Sequence, residues 1–140
     1  MPNLPVLVIG GGPAGLEASR GIADLGYNCI LVDKADFLGG NPIFADYSAI
    51  TPDMRNAEEA MDEMIAKVMV NPLVDVRLST TVKASKGEAP NLSVTLKNGK
   101  GGETVDIGSV VVATGFQHFD PGKETQMYGY YEFDDVITLV

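Results

Sequence analysis

The chain has 140 residues, 45% of them hydrophobic, a formal net charge of −9 and a single cysteine. A chain of this length buries roughly two thirds of its unfolded surface, so residues 1–140 are expected to form one small domain. Its acidity excludes a nucleic-acid partner, which needs a basic patch. One cysteine excludes an internal disulfide framework and a cluster ligated by this chain alone. Apolar runs of a handful of residues exclude a membrane-spanning helix. With no basic signal-peptide flank at the N-terminus, a cytoplasmic protein without direct membrane insertion is expected.

In chain order, Val6-Leu-Val-Ile9 reads as a strand, Gly10-Gly-Gly12-Pro13-Ala14-Gly15 as a turn entering a helix, and Cys29-Ile-Leu-Val32 as a second strand ending at Asp33 and Lys34. This spacing suits a dinucleotide. Gly10 permits the tight turn, Gly12 lets the backbone approach a pyrophosphate, and Gly15 lets the helix lie close to the strand. The first N–H groups and the positive dipole end of that helix face the phosphates, so backbone rather than lysine holds the anion. Asp33, 18 residues after Gly15, can accept hydrogen bonds from both hydroxyls of an adenosine ribose and repels a 2′-phosphate, which disfavours NADP.

Ala35 to Ile50 shows neither a helical nor a strand period, and its length marks it as a ligand loop. Within it, Gly39-Gly40-Asn41-Pro42 lets the backbone come close to a phosphate or sugar, or forms an ordinary turn. Thr51 before Pro52, with Asp53 following, predicts a helix start, and the helix runs to about Val70. Met54, Ala57, Met61, Met64, Ile65 and Val68 form its apolar stripe, which is read as core packing. Asn71-Pro72 ends it. Val74–Leu78 is a third strand, and Val82–Ser85, Leu92–Leu96 and Thr104–Ile107 form three antiparallel strands, with Lys97-Asn98-Gly99-Lys100 turning the second into the third. Ser109–Ala113 is continuously apolar after its first residue, as in a strand covered on both faces, and runs into Thr114-Gly115.

That order of elements resembles the FAD-binding domain of the two-dinucleotide-binding flavoproteins, through Gly10-x-Gly12-x-x-Gly15, Asp33, Gly39-Gly40 and Ala113-Thr114-Gly115. The resemblance implies an α/β, Rossmann-like, three-layer β/β/α fold: a parallel sheet with an antiparallel meander. It also implies FAD as cofactor, its pyrophosphate at Gly12–Gly15, adenosine ribose at Asp33, adenine at the backbone of Val82, and the ribityl and flavin side at Gly39–Asn41. The family's later Gly-Asp segment has no counterpart here, so the fold is expected to be incomplete, as in a fragment or split subunit. Four parallel strands can be placed. They leave Val110–Ala113 at an open edge that invites homo-oligomerisation unless the strand-like Val136–Val140 covers it.

Ile50-Thr-Pro-Asp-Met54, Ala113-Thr-Gly-Phe116-Gln-His118-Phe-Asp120-Pro and Met127-Tyr-Gly-Tyr-Tyr131 are similar to the A-type subunit of heterodisulfide reductase and its sulfur-oxidising and quinone-interacting relatives. The likeness implies a flavoprotein that passes electrons between subunits of a complex. Where the methanogen type carries cysteines, this chain has Ala45-Asp-Tyr47-Ser-Ala49, which favours the sulfur-oxidising branch. Two alternatives stay open: an assembly module without turnover, and a plain NAD-binding domain. Cys29 reads as a buried structural thiol. His118, the only histidine, lies toward the flavin side or in a surface loop. Tyr128, Tyr130, Tyr131 and Phe133 pack over the edge strand or meet a partner.

Overall fold

The computed structural model describes residues 4–123 and 127–138. Strand β1 (Val6–Ile9) leads through the glycine turn into α1 (Pro13–Asp24), and β2 (Cys29–Val32) returns parallel to β1, with Leu7 opposite Ile30 and Ile9 opposite Val32. A one-turn helix α2 (Asn41–Phe44) and a two-residue hairpin, β3 (Ala49–Ile50) with β4 (Arg55–Asn56), precede helix α3 (Ala57–Met69). Then follow β5 (Val74–Arg77), the meander β6 (Thr81–Glu88), β7 (Asn91–Asn98) and β8 (Gly101–Ile107), and β9 (Ser109–Val112). The main sheet has the order β5-β2-β1-β9, all parallel, and the meander forms its own antiparallel sheet.

The two sheets and the helices make the three layers expected. Alternate residues of the parallel strands point to opposite faces. Leu7, Ile30 and Val32 meet Val94, Leu96 and Ile107 of the meander, while Val8, Cys29 and Leu31 meet Leu16 of α1 and Val68 of α3. Leu7, Val8, Leu16, Leu31, Val32, Val68 and Ile107 are completely buried. The Cys29 thiol lies in this core as expected; burial pushes its pKa up, outweighing the opposing effect of the neighbouring Ser19 hydroxyl.

Four expectations are corrected. The Ala35–Ile50 stretch is not free of regular structure, because Asn41–Phe44 makes a helical turn and Ala49–Ile50 pairs with Arg55–Asn56. The long helix does not start at Thr51-Pro52, which lie in the hairpin turn. Asn56 caps it, its side-chain oxygen accepting from Glu59 N at 3.0 Å, so Met54 falls outside the helix and is 69% exposed. Strand β9 is not covered on both faces. Val111 joins the helix-side core, but Val110 and Val112 lie on the meander side beyond the meander's reach, 37% and 70% exposed. Val136–Thr138 form no strand, and residues 139–140 lie outside the described residues. The aromatic residues near the C-terminal end meet edge to face, Tyr130 with Tyr131 and Tyr128 with Phe119, with Tyr128, Tyr131 and Phe133 exposed. Among the described residues no helix is long and apolar enough to cross a membrane.

Candidate dinucleotide site

The glycine turn sits at the C-terminal end of β1, where α1 begins. Gly10 adopts φ +111°, a conformation that excludes most side chains, and a Cβ there would overlap the Ala113 carbonyl. A Cβ at Gly15 would run into the Gly10 carbonyl oxygen, so its absence is what lets α1 start this close to β1. Pro13 presets the first helical residue without forfeiting a needed donor. The first helix bond runs from Leu16 N to Gly12 O at 2.9 Å, and no side chain caps the helix, so the amides of Ala14 and Gly15 are among those a helix start leaves without intrahelical partners.

Gly12 differs from its neighbours. Its backbone (φ −78°, ψ −174°) is open to any residue, and a Cβ there would meet nothing nearer than the Gly40 Cα at 3.8 Å. Gly39 N donates to Gly11 O at 2.8 Å, which seats the Gly39-Gly40 corner across from Gly12; a Cβ on Gly40 would come to 2.9 Å from the Gly12 Cα. The two glycine segments thus face each other backbone to backbone, leaving a shallow cradle at the helix start.

Asp33 closes the turn from the β2 side. One carboxylate oxygen accepts from Gly11 N at 2.5 Å and the other from Ala35 N at 2.8 Å. Each oxygen keeps a second acceptor site. The main chain of Asp33 bonds Arg77 O through its N–H and accepts from Thr80 N, so the start of β6 is tied to the same corner. Val82, two residues on, is half-buried in the core, and the β6–β7 register slips between Val82 and Ala84, freeing backbone there. Ala113 N donates to Ile9 O at 2.8 Å, placing Ala113 against the Gly10 turn with Thr114 and Gly115 exposed beyond it. Asn41 reaches across, its Nδ2 donating to Phe116 O at 3.0 Å.

The structure therefore gathers Gly10, Gly12, Gly15, Asp33, Gly39, Gly40, Asn41 and Ala113 into one corner, with Val82 linked through Asp33. Lys34 is exposed beside Asp33. Sequence reading missed three participants. Gly11 is the amide that Asp33 holds, and a Cβ there would strike Leu38. Tyr47 contacts His118, its hydroxyl 3.3 Å from Nε2. Phe116 supplies the carbonyl for Asn41. A third adjacent glycine was a visible sign of the first; the other two are contacts between segments about seventy residues apart. Among the described residues no group of His, Cys, Asp and Glu is arranged to hold a metal.

Residues 4–136 match the family described as pyridine nucleotide-disulphide oxidoreductase. A protein of Archaeoglobus profundus, named as resembling the A-type subunit of heterodisulfide reductase, is 32% identical over 92 residues, 66% of this chain and 13% of that protein. A ferredoxin–NADP reductase of Ralstonia nicotianae is 30% identical over 132 residues, 86% of this chain and 35% of its own length. The crystal structure of T. acidophilum thioredoxin reductase superposes with a TM-score of 0.69 at 18% identity, over 90% of this chain and 40% of that one, which shows a shared fold. The chain spans 8% to 35% of the lengths of the curated relatives it matches. With its glycine turn, acidic second strand and meander, the chain belongs to the pyridine nucleotide-disulphide oxidoreductase family, whose members are FAD-dependent oxidoreductases.

Proposed function

We propose that this chain is the FAD-holding part of an oxidoreductase subunit that transfers electrons within a heterodisulfide-reductase-like complex of sulfur metabolism. The observation carrying the binding site is the contrast at Gly12. Of the turn's glycines, Gly10, Gly11 and Gly15 would each clash with neighbouring protein atoms if given a Cβ, whereas Gly12, at a helix N-terminus, would meet only the Gly40 Cα at van der Waals distance, so the fold itself does not require a glycine there. A diphosphate at the helix start is what would require it. On this reading the amides of Gly12, Ala14 and Gly15, with Pro13 fixing the first turn, hold the pyrophosphate. Asp33, beside Lys34, takes the adenosine ribose on its remaining acceptor sites. The backbone of Val82, next to the register slip, meets the adenine, and Gly39, Gly40, Asn41 and Ala113–Gly115 line the flavin side. When bound, FAD itself supplies the electron-transfer chemistry, so the chain's residues bind, orient and shield it and none is required as acid or base.

The complex is suggested by the relatives, several of which are named for the A-type subunit of heterodisulfide reductase and are 30% to 32% identical. Electron-transfer partner subunits are inferred from them. Pairing with a second copy is inferred from the Val110 and Val112 side of β9, where native mass is the test. The site is tested by denaturing the purified protein and identifying what it releases. FAD is expected, and Gly12→Val, whose backbone any residue can adopt, is expected to fold normally yet release none. A colourless protein that still binds ADP favours the assembly-module reading instead, and undiminished flavin in the variant moves the phosphates elsewhere.

A further inference from the structure

After Ala113 the chain leaves the sheet, and residues 113–120 form neither helix nor strand, so ladder bonds do not decide where this segment lies. Side chains do. Tyr47 and His118 meet at 3.3 Å between the Tyr47 hydroxyl and Nε2, and the His118 ring is met edge-on by Tyr47 and Phe116, with centroids 5.9 and 5.1 Å away. His118 is half-buried although Phe116 and Phe119 on either side are 64% and 61% exposed, so the ring is the inward anchor of an outward-facing stretch. Tyr47 is fixed in turn, its amide donating to Pro42 O at 3.0 Å, and α2 starts at the Gly40 corner that faces Gly12.

We propose that Tyr47 and His118 form a clasp that pins the segment after Gly115 to the turn following α2, and so governs how long the glycine corner keeps its dinucleotide. The proposal rests on the FAD reading given above. Both are positioning residues. One hydrogen bond joins the Tyr47 hydroxyl and His118 Nε2, and the imidazole tautomer decides which of the two donates. The neighbouring Asn41–Phe116 bond holds the same two segments and keeps them in contact when the clasp is cut.

The test uses the full-length protein loaded with FAD and follows flavin fluorescence on dilution. Tyr47→Phe and His118→Ala are each expected to release FAD about two- to tenfold faster, the range for one neutral hydrogen bond. The double variant should be no faster than either single one, because the two act as a unit. His118→Gln, which offers an acceptor near the Nε2 position, should restore slow release. Unchanged rates in both single variants, or effects that multiply in the double variant, overturn the clasp. A second readout needs no flavin: amide exchange over residues 115–119 should accelerate in Tyr47→Phe at unchanged melting temperature, and equal exchange there overturns the clasp. If the wild-type protein takes up no FAD, the cofactor reading fails, and the exchange measurement alone decides whether the clasp exists.

Discussion

The Gly10–Gly15 turn and the Ala113–His118 segment meet where Ala113 lies against Gly10, but different forces hold them. The turn is set by short-range geometry: a left-handed Gly10, a proline at the helix start and a Gly15 against the Gly10 carbonyl; Asp33, from the end of the second strand, then grips Gly11 N. The later segment has one strand bond at Ala113 and otherwise depends on Asn41 and Tyr47, residues more than seventy positions away in the sequence. Local rules make a turn stiff before anything packs on it. Long-range side-chain contacts make a wall that can yield without unfolding the rest.

The contrast can be broken by substitution. Gly15→Val should be the most damaging change, costing roughly 3 kcal/mol or more in chemical denaturation because the helix must lift off β1. Set against Gly12→Val, which should cost little stability, it separates a glycine needed for packing from one needed for a ligand. Asp33→Ala should lose about 1.5–3 kcal/mol, the range for a hydrogen bond to a charged group, in FAD affinity measured by titration. It should also loosen the turn itself, seen as faster exchange at Gly11. Asn56→Ala, which removes the α3 cap far from both walls, should lower the unfolding free energy by about 1 kcal/mol and leave flavin content unchanged. Asn41→Ala should have the smallest effect on stability, about 0.5 kcal/mol, since its bond to Phe116 O is exposed. A loss as large as that of Gly15→Val would mean the second wall is as integral to the fold as the first.

The sequence was most legible where neighbours in the chain are also neighbours in space. The first βαβ unit and the three meander strands follow from period and spacing, whereas the parallel sheet with β9 at its open edge came from the family resemblance. The start of α3 was misread because Thr51-Pro52 and Asn56-x-x-Glu59 both resemble helix starts. Pairing of Ala49–Ile50 with Arg55–Asn56 absorbs the first and leaves the second to act as cap. The apolar run at β9 suggested two covered faces, yet a run of valines records only that a strand is apolar, not which elements reach it.

By itself the sequence determined the glycine turn, the acidic end of the second strand and the alternating strands of the meander, because backbone sterics and alternation act over a few residues; the layered architecture came through the family resemblance those motifs carry. Tertiary structure alone decided that Gly39-Gly40 faces Gly12, that Asp33 holds the Gly11 amide, and that Tyr47 meets His118. Those contacts join segments up to seventy-one residues apart, and their geometry exists only once the sheet, crossovers and meander have brought the segments together.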